Sequence, residues 1–528
     1  MADEQKALDQ QRHRCIELRQ ELRRIGDTQY DPDAALLRQF SAFFPRFTGH
    51  TVAQNSLEYA LLLLHSDDRT YGSDDAGEAN RIIRRILEHQ DLESGSDSFG
   101  NVRWMTHWSR VKDHNAVSFL TPGLVYAWLT FPEKLEDETK AALARAFPSL
   151  LAGIRGHIVR WQYSNIFFLN LGALEGLSRV LDDPEPHEQA VGLFDEWLAG
   201  TDPDGFHEFN CPSYTSVSLF GIQAAWAFTG DEQFRGRLER LLDIFSYHFA
   251  LNLLPNGFPA GAAARAYQHA ILHGASTGSA WAHLKLGTPR IGSAEDRVIT
   301  ANQTLFDYVP PAGVRELIAS RAERVEILDR TISVGSRRTH LITPSYGLSS
   351  QCMERVGGHS PPAYVLLARN VDAPRPSVPI LPDESFSHQP CAVFGSRQTG
   401  ARVVGRLGYE CDDEQRAKFL ADPTYVCEPR VLFGQREQIA EVRVGNVDWG
   451  GGPVELIAGQ SVAVSFGDLL VGIVLKLTGD GDARAVLAYG DDDELRLRVP
   501  LFGGPDLQPD DAPLGALLLV DVAEPGEG

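Results

Sequence analysis

Hydrophobic residues recur at intervals of three and four positions over most of the first 310 residues. This period predicts amphipathic α-helices. The predicted helices cover about 4–25, 52–66, 77–91, 114–131, 136–158, 163–182, 187–199, 213–229, 232–250, 264–287 and 294–307. A further helix is predicted to start at Tyr30-Asp-Pro-Asp and to run toward Phe44, because Asp and Pro are common at helix entrances.

The predicted helices differ in how their apolar residues are distributed. The stretch Ile166-Phe-Phe-Leu-Asn-Leu-Gly-Ala-Leu is apolar around most of its circumference, which indicates burial on two sides. The stretch from Glu133 to Arg145 carries many charges on one side and is typical of an outer layer. Pairs of such helices repeat at about 50 residues, which predicts a closed (α/α) toroid of helical hairpins, with an open array as the alternative.

Beyond Pro310 the hydrophobic period changes from 3.6 to 2. Short apolar segments, Thr331-Ile-Ser-Val among them, are separated by Gly, Asp, Asn and Pro, and this pattern is typical of an antiparallel β-sandwich. We therefore predict an α+β multidomain chain, with an N-terminal (α/α) toroid over residues 1–310 and a C-terminal antiparallel β-sandwich over residues 311–528. A chain of 528 residues exceeds what one hydrophobic core usually organises.

The net charge of −22 makes general nucleic-acid binding unfavourable, since a phosphate backbone is bound through clustered Lys and Arg. An acidic exterior leaves room for a locally basic cleft and hence for an anionic substrate. No segment is apolar over the length of a membrane span, and the N-terminus lacks the apolar core of a signal peptide, so a cytoplasmic protein is expected, or a periplasmic or secreted one if a leader was removed. A homodimer is possible.

A loop of mixed polar and aromatic residues, Asp202-Pro-Asp-Gly-Phe-His-Glu-Phe-Asn-Cys-Pro-Ser-Tyr214, lies between two predicted helices. Proline and glycine are expected to stop the first helix, so that His207, Glu208, Asn210 and Tyr214 are held at the entrance of the next. A similar sequence recurs at 255–267. Gly257 lies 52 positions after Gly205, and a Tyr ends each loop.

The order of elements and two motifs carry a resemblance to a known family. The motifs are Trp161-Gln-Tyr-Ser-Asn165-Ile-Phe-Phe-Leu-Asn-Leu-Gly-Ala and Asp204-Gly-Phe-His207-Glu-Phe-Asn-Cys-Pro-Ser-Tyr214. From about residue 50 onward the chain resembles the heparinase II/III and alginate-lyase type of polysaccharide lyase. The family's Asn-His pair on the inner helix is incomplete, since Ile166 follows Asn165.

The resemblance implies β-elimination next to a uronic acid, in which the C5 proton is removed and the C4 oxygen is expelled. Asn165 would then neutralise the substrate carboxylate, since an amide donates a hydrogen bond without competing as a base. Tyr214 is expected to be the acid, and also the base for syn elimination, with His207 as base or carboxylate partner. The alternatives are structural: Asn165 caps its helix, His207 bonds only to loop backbone, and Tyr214 fills the helix junction.

Further residues are candidates for substrate binding. Tryptophans interleaved with basic residues suit sugar stacking and carboxylate recognition, although packing at the rim is an equal alternative. The predicted substrate-binding residues are Arg103, Trp104, His107, His114, Trp161, Glu208, Arg265 and Tyr267. No cofactor is predicted. His269 and His273 share a helix face without a recognised metal pattern, and a structural metal near His359 or His388 is possible but unsupported.

Two other classes of function stay open. A glycoside hydrolase would use two carboxylates facing across the bond, for which Asp113, Asp204 and Glu208 are candidates. A non-catalytic glycan-binding protein would keep the aromatic residues and could dispense with Tyr214 and His207. Acid-base dehydration of a small substrate that is not a sugar is a third possibility.

Overall fold

The structure is a computed structural model, and the residues that it describes fall into sixteen ranges. The described ranges are 2–40, 45–66, 74–260, 263–264, 277–289, 298–319, 324–352, 363–367, 377–381, 392–409, 426–427, 430–457, 459–478, 484–499, 502–503 and 515–524.

Helices dominate the described residues up to position 319. The α-helices are α1 Ala2–Gln29, α2 Asn55–His65, α3 Asp75–Leu87, α4 Ala116–Thr130, α5 Asp137–Arg155, α6 Ser164–Leu181, α7 Glu185–Asp204, α8 Tyr214–Phe228, α9 Glu232–Leu251, α10 Thr277–Leu286 and α11 Ala312–Ala319. Short 3-10 helices cover Pro45–Phe47, Val298–Thr304 and Arg436–Gln438.

The predicted helix from Tyr30 toward Phe44 is wrong. Asp31 instead accepts hydrogen bonds from the backbone N–H groups of Asp33 and Ala34, at 3.0 and 3.2 Å, and so closes a turn. Strands β1 Tyr30–Asp31 and β2 Leu36–Gln39 pair across this turn, and β3 Gly49–His50 pairs with β2. An aspartate that bonds to the backbone two residues onward favours a turn as readily as a helix entrance.

The helix before the candidate loop also ends later than expected. Pro203 lies inside α7, which continues to Asp204 and ends at Gly205 with a φ of 97°. That backbone conformation disfavours residues with a Cβ, so Gly205, rather than Pro203, terminates the helix. The repeated Gly257 also has a positive φ, of 82°, and lies shortly after α9, the next outer helix.

Helices α4, α6 and α8 are the inner, almost fully buried helices, and they run parallel to one another. Ser118 near the start of α4 donates to Asn170 of α6, 52 residues later, at 2.6 Å. Towards the ends of these helices a side chain at Gly176 of α6 would meet Val125 of α4. Because these contacts advance along both helices in the same direction, α4 and α6 are parallel. The contacts between α6 and α8 also advance in the same direction, so the three N-termini lie at one end of the array.

Two glycines let α6 and α8 approach closely. A Cβ at Gly221 would lie 2.4 Å from the backbone carbon of Phe168, and a Cβ at Gly172 would lie 2.7 Å from the carbonyl oxygen of Gly221. Any side chain at either position would force the two helices apart. The contact therefore fixes how far the N-terminal ends of α6 and α8 can lie from each other.

The 3-10 helix Val298–Thr304 connects the early and the late helices of this part of the chain. The 3-10 helix Val298–Thr304 packs against α2 and also against α8 and α10. Helix α1 lies over the same region, where Arg19 donates to Thr304 Oγ1 at 2.9 Å and Arg14 donates to the carbonyl oxygen of Leu284 at 2.8 Å. Helix α11 packs on α9.

Beyond residue 324 the described elements are mainly strands. They are β4 Val325–Thr331, β5 Ser336–Ile342, β6 Tyr346–Cys352, β7 Ala363–Leu367, β8 Ser377–Leu381, β9 Ala392–Thr399, β10 Arg402–Tyr409, β11 Val426–Cys427, β12 Arg430–Gln435, β13 Glu441–Val444, β14 Val447–Asp448, β15 Val454–Leu456, β16 Ser461–Ser465, β17 Leu470–Thr478, β18 Ala485–Tyr489, β19 Glu494–Arg498, β20 Phe502–Gly503 and β21 Gly515–Ala523.

These strands form two large antiparallel sheets. One has the order β14-β13-β16-β17-β21-β10-β9 and the other has the order β15-β18-β19-β12-β8-β7-β6-β5-β4, while β11 pairs with β20. A single hydrophobic core contains side chains of both, such as Leu348 from the second sheet and Val403 and Val520 from the first. The predicted α+β class with antiparallel sheets is confirmed.

The predicted strand Thr331-Ile-Ser-Val is wrong beyond its first residue. Thr331 ends β4, and residues 332–335 form the turn that leads into β5. The alternation of apolar and polar residues continues through this turn, so periodicity alone does not reveal it. The stretch Asp412-Asp-Glu-Gln-Arg-Ala-Lys-Phe-Leu-Ala, whose sequence predicts a short surface helix, lies outside the described residues.

The sheets contact the helical part of the chain. Ile342 of β5 shares a small buried cluster with Leu254, Phe258 and Ala260, which follow α9.

Among the helices of the described ranges, none combines the length and the apolar character needed to cross a lipid bilayer.

Glu58 on α2 is a buried carboxyl group in the helical core. It is 4% exposed, and its Oε2 atom lacks a hydrogen-bond partner among the described residues. Burial raises the pKa of Glu58 from 4.5 to about 8, because the charged form loses its hydration.

We expect Glu58→Gln to stabilise the protein above neutral pH. Between pH 4.5 and about 8 the unfolded chain releases a proton that the folded protein retains, so stability falls as pH rises, by about 1.4 kcal/mol per pH unit. Urea unfolding at pH 4.5 and pH 7.5 should show the gain of the variant at pH 7.5 only. The exposed Glu133→Gln is the matched control, and an equal gain at both pH values would contradict the assignment.

Candidate active site at the N-terminal ends of the inner helices

The candidate site is assembled from the segments that precede α6 and α8. We refer to residues 204–214 as the site loop. Because α6 and α8 are parallel and in close contact, the site loop meets the start of α6 at one end of the array.

Asn165 and Glu208 make the most direct contact between α6 and the site loop. The backbone N–H of Asn165 donates to Glu208 Oε2 at 2.6 Å, and its side-chain Nδ2 donates to Oε1 and Oε2, both at 2.7 Å. The carboxylate of Glu208 thus occupies the N-terminus of α6, where free N–H groups and the helix dipole favour negative charge. Asn165 is the second residue of α6 and is not its N-cap, so the capping alternative does not describe it.

Two amide side chains in this region are buried with unpaired atoms. Asn165 is fully buried, and its Oδ1 has no hydrogen-bond partner among the described residues. Asn210, which adopts a left-handed φ of 49°, is 3% exposed, and neither its Oδ1 nor its Nδ2 has a partner within the same set. Buried amide atoms of this kind are the ones that ordered water or a polar ligand satisfies.

His207 is held on both sides. Its Nε2 lies 2.6 Å from Asp204 Oδ2 and 3.3 Å from Ser333 Oγ. The Trp161 ring packs edge to face against the imidazole, with ring centroids 4.9 Å apart. Trp161 fits there because position 200 on α7 is a glycine, where a Cβ would lie 2.4 Å from the indole.

Tyr214 is the first residue of α8 and is half-buried against the helical core. Its position at the end of the site loop, on the helix that packs against α6, brings its backbone to the same end of the array as Asn165 and His207. The three predicted catalytic residues therefore lie in neighbouring segments.

A second polar group joins the entrances of α4 and α6. His157 Nε2 lies 2.8 Å from Asn115 Oδ1, and Asn115 Nδ2 donates to the Tyr163 hydroxyl at 3.2 Å. The rings of His114 and His157 are 5.7 Å apart. Burial, followed by the influence of His114, lowers the pKa of His157, so its imidazole is neutral near pH 7.

His157 was missed from the sequence. It follows Gly156 at the end of an outer helix, where a polar residue is unremarkable, and nothing in its neighbours indicates a contact with Asn115, 42 residues earlier. The one available signal is that it precedes the Trp161 to Asn165 motif by a few residues.

The predicted Arg103 and Trp104 are engaged in local packing. Arg103 donates to the Trp108 carbonyl oxygen at 2.7 Å and lies 2.6 Å from His89 Nδ1. Trp104 packs against Phe47 and Phe119. These contacts correspond to the structural alternative for this segment.

The other predicted binding residues are distributed differently. His107 is exposed and its ring lies 6.4 Å from that of Trp108. Arg265, Tyr267, His269, His273, His359 and His388 lie outside the described residues. No group of three or more His, Cys, Asp or Glu side chains that could hold a metal ion occurs in the described part of the chain.

The carboxylates proposed for hydrolysis all accept structural hydrogen bonds. Asp113 accepts from the backbone N–H of Asn115 at 3.0 Å, Glu208 accepts from Asn165, and Asp204 accepts from Ser333 and His207. Each of them therefore has a role in fixing the backbone.

No family model and no curated protein sequence matches the chain. It is similar to the solved structure of heparinase III, with a TM-score of 0.43 and 10% identity, covering 89% of this chain and 78% of that one. It is also similar to the chondroitin AC lyase of Streptomyces coelicolor A3 in complex with chondroitin sulphate, with a TM-score of 0.45 and 12% identity, over 98% and 79% of the two chains.

A Paenibacillus xanthan lyase is similar with a TM-score of 0.32 and 9% identity, over 88% of this chain and 59% of that one. These three proteins are polysaccharide lyases, the type of enzyme that the two sequence motifs resemble.

We expect Glu208→Ala to destabilise the protein, because it removes the acceptor for both the Asn165 N–H and the Asn165 side chain. Loss of hydrogen bonds to a charged group costs about 2 kcal/mol, which urea unfolding can measure. Glu196→Ala, on the exposed side of α7, is the matched control. Equal stability of the two variants would show that Glu208 contributes nothing at the start of α6.

Proposed function

We propose that the protein is a lyase that cleaves uronic-acid-containing polysaccharides or oligosaccharides by β-elimination. The observation that carries the proposal is that the Asn165 N–H and Nδ2 bind a carboxylate, that of Glu208, at the N-terminus of α6, on the helix packed against α8. The proposed architecture is an (α/α) toroid over residues 1–310 and an antiparallel β-sandwich over residues 311–528. The contacts of the 3-10 helix Val298–Thr304 with α2 and α8 support closure of the toroid.

The proposed substrate carboxylate takes the place of the Glu208 carboxylate. The Asn165 N–H and Nδ2 bind the Glu208 carboxylate at 2.6 to 2.7 Å. This geometry supports the fit of a substrate carboxylate in its place. Donors fixed on a helix N-terminus would stabilise the enolate-like charge that develops there when the C5 proton leaves. The unpaired amide of Asn210 offers a further donor on the site loop.

An anionic substrate needs a favourable field on a protein whose net charge is −22. The N-termini of α4, α6 and α8 point to the same end of the array and supply partial positive charge there. Because these dipoles act within the first turn of each helix, a local site for an acidic glycan is compatible with an acidic exterior.

His207 and Tyr214 handle the protons in this proposal. With the Nε2–H of His207 donating to Asp204, Nδ1 is the ring nitrogen left to accept a proton. Tyr214 donates a proton to the departing C4 oxygen, and in syn elimination it also removes the C5 proton. Trp161, packed on His207, offers an aromatic surface for a sugar ring.

A glycoside hydrolase is the second candidate, and a glycan-binding protein is the third. Hydrolysis needs two carboxyl groups free to face a bond, and the hydrogen bonds that hold Asp113 and Asp204 weigh against their use. A binding protein would retain Trp161 and need no proton transfer.

The test is to incubate the protein with a panel of uronate-containing glycans and to follow ultraviolet absorbance. Elimination leaves an unsaturated uronate that absorbs, whereas hydrolysis produces reducing ends without it. New absorbance is expected. Reducing ends alone would favour the hydrolase, and binding without either product would favour the glycan-binding protein.

Tyr214→Phe should abolish turnover while leaving folding intact, because it removes only the hydroxyl group. Loss of an acid-base group lowers kcat by about a hundredfold or more. Tyr247→Phe, at a half-exposed tyrosine on α9, is the matched control. An unchanged rate for Tyr214→Phe, with circular dichroism and unfolding like the parent, would remove Tyr214 from the mechanism.

A further inference from the structure

The site loop is held from the β part of the chain by the turn between β4 and β5. The Ile332 N–H donates to the Asp204 carbonyl oxygen at 3.0 Å, and Thr331 Oγ1 donates to the Phe206 carbonyl oxygen at 2.5 Å. A Cβ at Gly205 would lie 2.5 Å from the Arg330 carbonyl oxygen. The hairpin and the loop therefore touch backbone to backbone.

Ser333 donates two hydrogen bonds to the Asp204 carboxylate. Its backbone N–H donates to Asp204 Oδ1 and its hydroxyl donates to Oδ2, each at 2.6 Å. Asp204 is the last residue of α7, where the helix dipole disfavours a negative charge. Although desolvation acts in the opposite direction, the hydrogen bonds from Ser333 and then from His207 lower the pKa of Asp204, so the group is ionised.

An ionised Asp204 fixes the tautomer of His207. A carboxylate can only accept hydrogen bonds, so the short contact of 2.6 Å requires a proton on His207 Nε2. Ser333 Oγ, 3.3 Å from the same nitrogen, sits beside this contact. Nδ1 is then the ring nitrogen left to accept a proton.

A buried arginine supports the hairpin from behind. The Arg338 side chain is fully buried, and it donates to Thr331 Oγ1 at 3.0 Å and to Asp329 Oδ2 at 2.6 Å. Its guanidinium carbon lies 3.4 Å from the centroid of the Phe209 ring on the site loop. The hairpin thus contacts the loop on both sides of His207.

We propose that Ser333 is a positioning residue for the reaction: from the β4–β5 turn it orients Asp204, and through Asp204 it fixes the orientation and Nε2–H tautomer of His207. This inference rests on the proposed function for its catalytic consequence. Its structural part concerns the free protein alone. The β part of the chain accordingly contributes a residue, Ser333, to the proposed site in addition to packing beside it.

The kinetic test compares Ser333→Ala, Ser333→Thr and Ser345→Ala on the glycan that the lyase assay identifies. Ser333→Ala is expected to lower kcat by about tenfold with little change in KM, because His207 is mis-oriented while substrate contacts remain. Ser333→Thr retains the hydroxyl and should recover most of kcat. Ser345→Ala, the same change in the β5–β6 turn, should leave kcat unchanged.

The second measurement needs no substrate. Nitrogen-15 NMR of histidine-labelled protein, with the His207 signals assigned from a His207→Gln variant, reports which ring nitrogen carries the proton. The parent should show the Nε2–H form at His207, and Ser333→Ala should show a mixture of tautomers.

The outcomes separate the two proposals. An unchanged tautomer in Ser333→Ala overturns the positioning role, whatever the enzyme does. A changed tautomer together with no elimination on any glycan upholds the positioning and overturns the proposed function. A changed tautomer with unchanged kcat overturns the catalytic consequence of Ser333.

Discussion

The close contact between α6 and α8 is the constraint on which the candidate site depends. Gly172 and Gly221 let the two backbones meet, and the parallel direction of the helices brings their N-termini together. Asn165 and the site loop become neighbours for this reason, although they are separated by some forty residues in the chain. Wider helix spacing would separate the donor on α6 from the acceptor on the loop before any site residue was changed.

The sequence predicts the helical part well and the connections poorly. Strong 3.6 periodicity identifies the inner helices, because burial on two sides leaves few polar positions, and the start of α6 and of α8 follow within a residue or two. The Asp31 turn was mistaken for a helix entrance, since one aspartate can accept from backbone N–H groups in either structure. The α+β class with antiparallel sheets is confirmed. The solved structures to which the chain is similar include polysaccharide lyases.

The candidate residues divide in the same way. The motifs lead to Asn165, His207 and Tyr214, which the structure locates in adjoining segments. The partner of Asn165 could not be inferred, because Glu208 lies on a loop 43 residues later and its contact depends on helix packing. The role of Ser333 could be predicted even less, because serine is common in β-turns. Only the packing of the β4–β5 hairpin on α7 brings Ser333 to Asp204.

Charge is distributed unevenly between the surface and this end of the helices. The protein carries a large negative excess, yet the start of α6 binds a carboxylate with three hydrogen bonds. The Glu208 carboxylate satisfies these donors from within the chain. The arrangement avoids the free energy cost of leaving several N–H groups buried and unpaired.

Asp204 is hydrogen-bonded to the β4–β5 turn, which is synthesised after the helix that carries Asp204. Ribosomes release the chain from its N-terminus, and domains generally fold in that order. Helices α1 to α9 therefore emerge more than a hundred residues ahead of the strands that lie near the C-terminus, and well before residue 333 reaches its partner. A nascent chain that ends after α9 therefore lacks the hydrogen bonds from Ser333 to Asp204 until the β4–β5 turn has been synthesised.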